Sequence, residues 1–368
     1  MATVPVDDPT WKDVSMALAE LTGTSDSPTT AVKLFQSITA HHVSSAVHVA
    51  ARLGLADLVA AGPVGFEQLA TATKTDAFAL RRLLRLLVSS GVFTEPEPGL
   101  YGLTRVGEHL RTDRADSLHS FALMMANPRN QQRWGELAEC VRTGASRVPE
   151  EHKGDPFKQM PPHILELLGK TMTFFVSHTA QAVVEAYDFG RFGTLVELGA
   201  GEGILISAIL AANPGLRGIM FDLPYMAENA RRRMAGNPVA DRCEIVGGDF
   251  FEAVPAGGDA YLLNNVIHDW DDERGVEIMT NCYNQLKPGG RLLVVETQYP
   301  ERFDDSIASR IAARSDVNMM VNANAKERSA AEFQALVSAA GFRPGRIVEI
   351  RPAWTGVRSS MIVEAVRP

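Results

Sequence analysis

Two different spacings of apolar residues divide the chain near residue 190. From Ala31 to Leu53 the face residues return every three or four positions, at Val32, Phe35, Ile38 and Thr39, then Val43, Val47, Ala50 and Leu53, which predicts one amphipathic helix closing at Gly54. Phe66–Thr71 and Ala77–Ser89 continue the helical spacing, the second with Asp76 as its N-cap. Gly91-Val92-Phe93, the turn residues Pro96–Gly99 and Tyr101-Gly102-Leu103 predict a hairpin. Helices follow over Ser117–Met125, Trp134–Arg142 and Ile164–Tyr187, with a surface loop across Thr143–Pro162.

Beyond residue 190 the pattern changes to short apolar runs separated by helical stretches. Strands are predicted at Thr194–Leu198, Arg217–Phe221, Cys243–Val246, Asp259–Asn264 and Arg291–Glu296, and near the C-terminus at Arg346–Arg351 and Ser359–Val366. Between them lie predicted helices at Ile204–Ala212, Tyr225–Arg233, Glu273–Gln285 and Ala330–Ala340. This alternation implies an α/β fold with a mostly parallel, doubly wound sheet, whose ligands sit beyond the carboxyl ends of the strands. The block Leu55–Leu110 resembles a winged-helix module. The resulting organisation is an N-terminal arm over 1–30, a mainly helical domain over 31–162, a connecting helix over 163–190 and the α/β domain over 191–368. The arm holds a short helix, Thr10–Leu21, and a loop rich in Ser, Thr, Asp and Pro.

Length and charge narrow the picture further. A chain of 368 residues has room for two cores. Its net charge of −8 opposes general nucleic-acid binding and suits a cationic or neutral small ligand. Arg81, Arg82 and Arg85 on the Ala77–Ser89 helix are therefore expected on a solvated or ion-paired face of a dimerisation scaffold, not in a DNA groove. Cys140, Cys243 and Cys282 are far apart and form no metal or disulfide pattern, which points to a reducing cytoplasm. The N-terminal residues lack the apolar core of a signal peptide and no run of about 18 apolar residues occurs, so no membrane association is expected.

The candidate chemistry gathers at strand ends. Thr194–Leu198 runs into Gly199-Ala200-Gly201-Glu202-Gly203, with Glu197 just before the glycines. Ile204 occupies the place of a dinucleotide fingerprint's third glycine, so the turn suits a nucleoside carrying an amino acid better than a pyrophosphate. Asp222, about twenty residues on, is placed for ribose hydroxyls. Asp249 can take an exocyclic amine, and Phe250 and Trp270 offer faces to adenine. His268 follows the fourth strand and Glu296 ends the fifth.

Val196-Glu197-Leu198-Gly199-Ala200-Gly201-Glu202-Gly203, Phe221-Asp222-Leu223-Pro224, Gly248-Asp249-Phe250-Phe251, His268-Asp269-Trp270, Leu286-Lys287-Pro288-Gly289-Gly290 and Lys326-Glu327-Arg328 occur in that order. From Ala31 onward the chain resembles the S-adenosylmethionine-dependent O-methyltransferases of the plant caffeic acid and bacterial polyketide and phenazine type. The resemblance implies a Rossmann-like methyltransferase domain preceded by a winged-helix-like dimerisation domain, and an intertwined homodimer. It assigns Glu197, Gly199, Gly201, Asp222, Leu223, Asp249, Phe250, Asn264 and Trp270 to the cofactor. His268 would be the general base, flanked by Glu296 and Glu327. Phe174, Phe175, His178, Asp269 and Met320 would face an aromatic acceptor, and S-adenosylhomocysteine would be the product. No metal is implied, since no H-E-x-x-H-like spacing occurs. Two departures stand out: Asn264 replaces a lysine common in the family, and Val321–Ala325 is Asn/Ala-rich where glycines are usual. Related chains that bind the cofactor yet hydroxylate, decarboxylate or run pericyclic reactions form the alternative reading; those tend to lack the base. A ligand-sensing, winged-helix DNA-binding regulator is a more distant one.

Overall fold

The computed structural model describes residues 30–146, 157, 160–350 and 360–368. The helix expected over Thr10–Leu21 and most of the loop 143–162 lie outside them. The chain divides into two compact units at Asn127–Pro128.

The first unit contains α1 (Thr30–Arg52), α2 (Leu55–Leu58), β1 (Val64–Gly65), α3 (Phe66–Thr73), α4 (Ala77–Ser89), β2 (Phe93–Glu97), β3 (Leu100–Leu103) and α5 (His119–Met125). The strands form an antiparallel sheet in the order β1-β3-β2. Helix α4 starts where expected because the Asp76 carboxylate accepts the Ala79 N–H at 2.8 Å. Its Leu80, Leu84 and Leu87 fall on one face and are buried with Leu55, Phe93 and Tyr101. Each such leucine contributes roughly 1.5–3 kcal/mol of burial free energy. The Arg81 guanidinium lies over the Phe66 ring at 4.9 Å, a ring contact and not the ion pair or solvated position expected. On α1, by contrast, Leu34, Phe35 and Ile38 are exposed.

The second unit begins with two short helices, α6 (Pro128–Gly135) and α7 (Leu137–Thr143). One helix was expected over Trp134–Arg142; the chain instead breaks at Glu136 (φ −91°, ψ 3°), beside Gly135. These helices pack on the later helix Ile307–Ala323, so the division between units falls earlier than the boundary at 162 read from the sequence. There follow α8 (Pro162–Ala186), β4 (Thr194–Leu198), α9 (Ile204–Ala212), β5 (Arg217–Asp222), α10 (Pro224–Met234), β6 (Cys243–Gly247) and β7 (Ala260–Asn264). The unit ends with α11 (Asp272–Gln285), β8 (Arg291–Thr297), α12 (Ile307–Ala323), α13 (Ala330–Ala339), β9 (Arg343–Ile350) and β10 (Ser360–Val366).

The seven strands β4–β10 form one sheet in the order β6-β5-β4-β7-β8-β10-β9. The first five in that order are parallel, and β10 is antiparallel to both β8 and β9. Helices cover both faces, which is why β4 and β7 read as continuous apolar runs. Val196 and Leu198 of β4 join Tyr261 and Val294 in one layer, while Leu195 joins Leu262 and Leu293 in the other. The chain leaves β4 toward β5 on one side and returns to β7 on the other. A crevice therefore opens above the carboxyl ends of β4 and β7.

Candidate active site

The turn after β4 holds three residues in left-handed backbone: Gly199 (φ 67°), Gly201 (56°) and Gly203 (74°). Each tolerates it because it lacks Cβ. A Cβ on Gly199 would lie 2.7 Å from Val266 Cγ2, so this glycine lets the turn touch the loop that carries His268. A Cβ on Gly201 would meet nothing within 4 Å, and that residue's requirement is conformational alone. Gly203 is the N-cap of α9 and supplies no side-chain cap. Glu197 does the work from inside the strand: its Oε2 accepts the Ile206 N–H at 3.1 Å, a carboxylate at the positive end of a helix. Burial pushes the Glu197 carboxyl up to about 8 against that hydrogen bond, with nearby Asp222 adding to the shift. Asp222 accepts the N–H groups of Gly201 and Leu223, both at 2.7 Å, tying the turn to β5. Burial raises its pKa to about 6, while those two donors oppose the rise.

These groups line a solvent-open cleft of about 1140 Å³. The nine residues that the sequence assigned to a cofactor all line it, as does Asp269. Phe251 meets Trp270 edge-on at 4.7 Å and Phe250 meets it at 6.1 Å, while Asn281 on α11 donates to the carbonyls of Phe250 and Phe251. Five acidic side chains (Glu197, Glu202, Asp222, Asp249 and Asp269), an uncluttered glycine turn and two aromatic faces fit a cationic nucleoside.

Of the residues expected against an acceptor, Phe174, Phe175, His178 and Met320 do not line this cleft. The stripe of α8 that does so is Leu165, Leu168, Gly169, Met172 and Val176. At 100° per residue, Phe174 and His178 fall on the opposite face and Phe175 to one side. Phe174 is buried against Phe175 and His178, and its carbonyl faces His178 Nδ1 at 2.7 Å. Tyr225 and Met226 of α10 also line the cleft; sequence reasoning passed over them because they sat in an ordinary helix start.

His268 sits in a single 3₁₀ turn, Ile267–Asp269, which the chain enters through Asn265 at φ 53°. Glu296, at the end of β8, accepts the N–H groups of Val266, Ile267 and His268 on one oxygen at 2.9–3.3 Å. From the other side the fully buried Arg328 donates to the carbonyls of Ile267 (3.0 Å) and Trp270 (2.8 Å), its charge met by Asp272. A carboxylate thus grips the turn's N–H side and a guanidinium its C=O side. The motif Lys326-Glu327-Arg328 was visible in the sequence, but nothing in it marks a fully buried arginine.

The imidazole Nδ1 lies 3.1 Å from Glu327 Oε1 and 3.7 Å from Glu296 Oε2, and Nε2 lies 3.7 Å from Asp269. A carboxylate only accepts, so Nδ1 carries the hydrogen shared with Glu327 and Nε2 keeps its lone pair in the neutral ring. Burial disfavours the imidazolium, yet Glu296, Glu327 and Asp269 together outweigh it and push the pKa up to about 10. Val266, Asp269 and Trp270, on either side of His268, line the cleft. The ring itself is buried, directly behind residues that form the cleft's wall.

The O-methyltransferase domain family matches residues 134–343, and the O-methyltransferase dimerisation domain matches residues 35–113. The chain is 40% identical over 317 residues to a phenazine O-methyltransferase of Lysobacter antibioticus, covering 86% of this chain and 92% of that one. It is 38% identical over 322 residues to the mitomycin biosynthesis 6-O-methyltransferase of Streptomyces lavendulae, covering 84% and 90% respectively. An O-methyltransferase from neocarzinostatin biosynthesis, crystallised with S-adenosylmethionine and 2-hydroxy-5-methyl naphthoic acid, matches with a TM-score of 0.76 at 32% identity. That match covers 89% of this chain and 96% of the other.

Proposed function

The chain belongs to the S-adenosylmethionine-dependent O-methyltransferase family, and on that premise we propose that it methylates a hydroxyl of an aromatic secondary metabolite with His268 as general base. The observation that carries the proposal is the buried His268–Glu327 pair, on a turn whose Val266, Asp269 and Trp270 line the cleft.

S-adenosylmethionine supplies an electrophilic methyl group on a sulfonium. In this reading Asp222 accepts the ribose hydroxyls, Asp249 faces the adenine amine, Phe250 and Trp270 lie beside the ring, and Glu197 holds the start of α9 beneath the glycine turn. The absence of Cβ at Gly199 and Gly201 lets the ligand approach the main chain. On the acceptor side, Nε2 takes the hydroxyl proton as the oxygen attacks, and Glu327 and Glu296 stabilise the imidazolium that forms. A phenol (pKa about 10) and an imidazole shifted to about 10 exchange a proton at little cost. Such base catalysis is worth about 10²–10⁴-fold, and holding oxygen and methyl in line supplies much of the rest. Below pH 10 the resting ring is charged and must lose a proton to act, so activity rises with pH.

The test is His268→Ala, assayed with radiolabelled methyl donor against a panel of hydroxylated naphthoates, phenazines and quinones. Turnover should fall by about 10²–10⁴-fold with donor affinity unchanged; full turnover would remove the base. Product mass separates methyl transfer from the other reactions such folds support. The dimerisation domain over 35–113 and the exposed Leu34, Phe35 and Ile38 support a homodimer. Three unpaired cysteines support a reducing, cytoplasmic setting, and no described helix is long and apolar enough to cross a membrane.

A further inference from the structure

Helix α12 has no counterpart among the elements read from the sequence, and its middle turn supports the base. Ser315 Oγ donates to Glu327 Oε1 at 2.5 Å. This is the oxygen that lies 3.1 Å from His268 Nδ1. The next residue, Asp316, accepts the Glu327 N–H on Oδ1 at 2.9 Å and the Tyr299 hydroxyl on Oδ2 at 3.1 Å. Adjacent residues of one helical turn therefore hold both the side chain and the main chain of Glu327.

We propose that Ser315 is a positioning residue for methyl transfer: it pins Glu327 Oε1 under the imidazole and, by sharing that oxygen, restrains the basicity that Glu327 confers on His268. The proposal rests on His268 being the base. An oxygen that accepts a hydroxyl proton and an imidazole N–H offers less charge to each than to one alone. The other charges around the pair are fixed elsewhere. Facing His268 are Glu296 and Asp269, each 3.7 Å from a ring nitrogen. Facing Glu327 are Asp316 and Tyr299, with Glu332 of α13 beyond them. Its chain neighbours Lys326 and Arg328 are both engaged with Asp272, at 3.1 and 2.8 Å. Removing the hydroxyl thus changes one donor without changing the local charge.

The experiment is a ¹⁵N-NMR titration of the His268 ring in full-length, cofactor-free enzyme, the signal identified by its loss in His268→Asn. Ser315→Ala should move the titration to higher pH by about half a unit to one unit, a three- to tenfold change in the protonation equilibrium. Ser315→Thr should restore it, and Ser315→Cys, a weak donor, should fall between. Affinity for S-adenosylhomocysteine, measured by calorimetry, should stay unchanged in all three. A titration in Ser315→Ala that is unmoved, or displaced to lower pH, overturns the proposal, as does a Thr variant that behaves like Ala. The titration needs no turnover, so an active His268→Ala would end the base assignment while leaving this coupling decided on its own.

Discussion

Half-buried Asp222 and buried His268 are both shifted, but in ways that pull the enzyme toward higher pH for different reasons. The Asp222 carboxyl, raised to about 6 by burial, serves as an acceptor only when ionised. Donor affinity, measured by calorimetry, is therefore expected to weaken as pH falls through 6. Asp222→Asn should weaken it about 10- to 100-fold, the value of hydrogen bonds to a charged group. Glu327→Gln removes a negative charge that raises the imidazole pKa, so the rising limb of the pH–rate profile should move to lower pH while its plateau drops. Stability carries the same signature. Since His268 titrates near 6.5 unfolded and near 10 folded, its contribution is complete below 6.5 and is lost as pH climbs through 10. Denaturant titrations across that range should show a decline that His268→Asn lacks. The residues themselves were legible: His268 and Glu327 each stood in a recognisable string, and Glu296 at a strand end. The division of labour was not, because which carboxylate clamps a backbone and which meets the ring depends on contacts between β8, α12 and the 3₁₀ turn.

At the scale of elements, the glycine turn gives the sharpest contrast. Gly203→Ala would place a Cβ 2.3 Å from Met220 Cε in left-handed backbone, and thermal unfolding should show a loss of about 2–4 kcal/mol. Gly201→Ala meets open space, so its stability loss should stay near 1–2 kcal/mol, while the new methyl in the cleft costs donor affinity. Strands β4, β7 and β8 were readable because a strand buried on both faces is a largely apolar run between turn residues; edge strand β6 is only half-buried and was marked by its flanking turns. Helix α8 was readable as a helix, but which stripe lines the cleft was not: Leu165, Leu168, Gly169, Met172, Thr173 and Val176 do, while Phe174, Phe175 and His178 lie off it. Helix α12 went unread because its apolar and polar residues alternate without a clear stripe. Its signals were Ser306, whose hydroxyl accepts the Ser309 N–H at 3.2 Å, and the lack of Gly or Pro between Pro300 and Gly341.

For the whole molecule, the sequence separated a helical N-terminal part from an α/β part but set the division too late to match the contacts, since α6 and α7 pack on α12. Short helices reveal nothing about their partners until the distant helix is known. Phe35→Glu on the exposed stripe of α1 is expected to yield monomers in sedimentation velocity, against dimers for the parent chain. An acidic protein with five acidic side chains in its cleft is also expected to draw a sulfonium from solution, an attraction that added salt should weaken.

The close approach of Gly199 to Val266 bears on how such an enzyme can change its acceptor. With only a hydrogen atom between the glycine turn and the loop bearing His268, those two walls are locked in register, and on the proposed assignment so are methyl donor and base. Room for a bulkier aromatic has to be carved from the helices around the cleft. Selectivity can then drift while the distance on which the chemistry depends stays put.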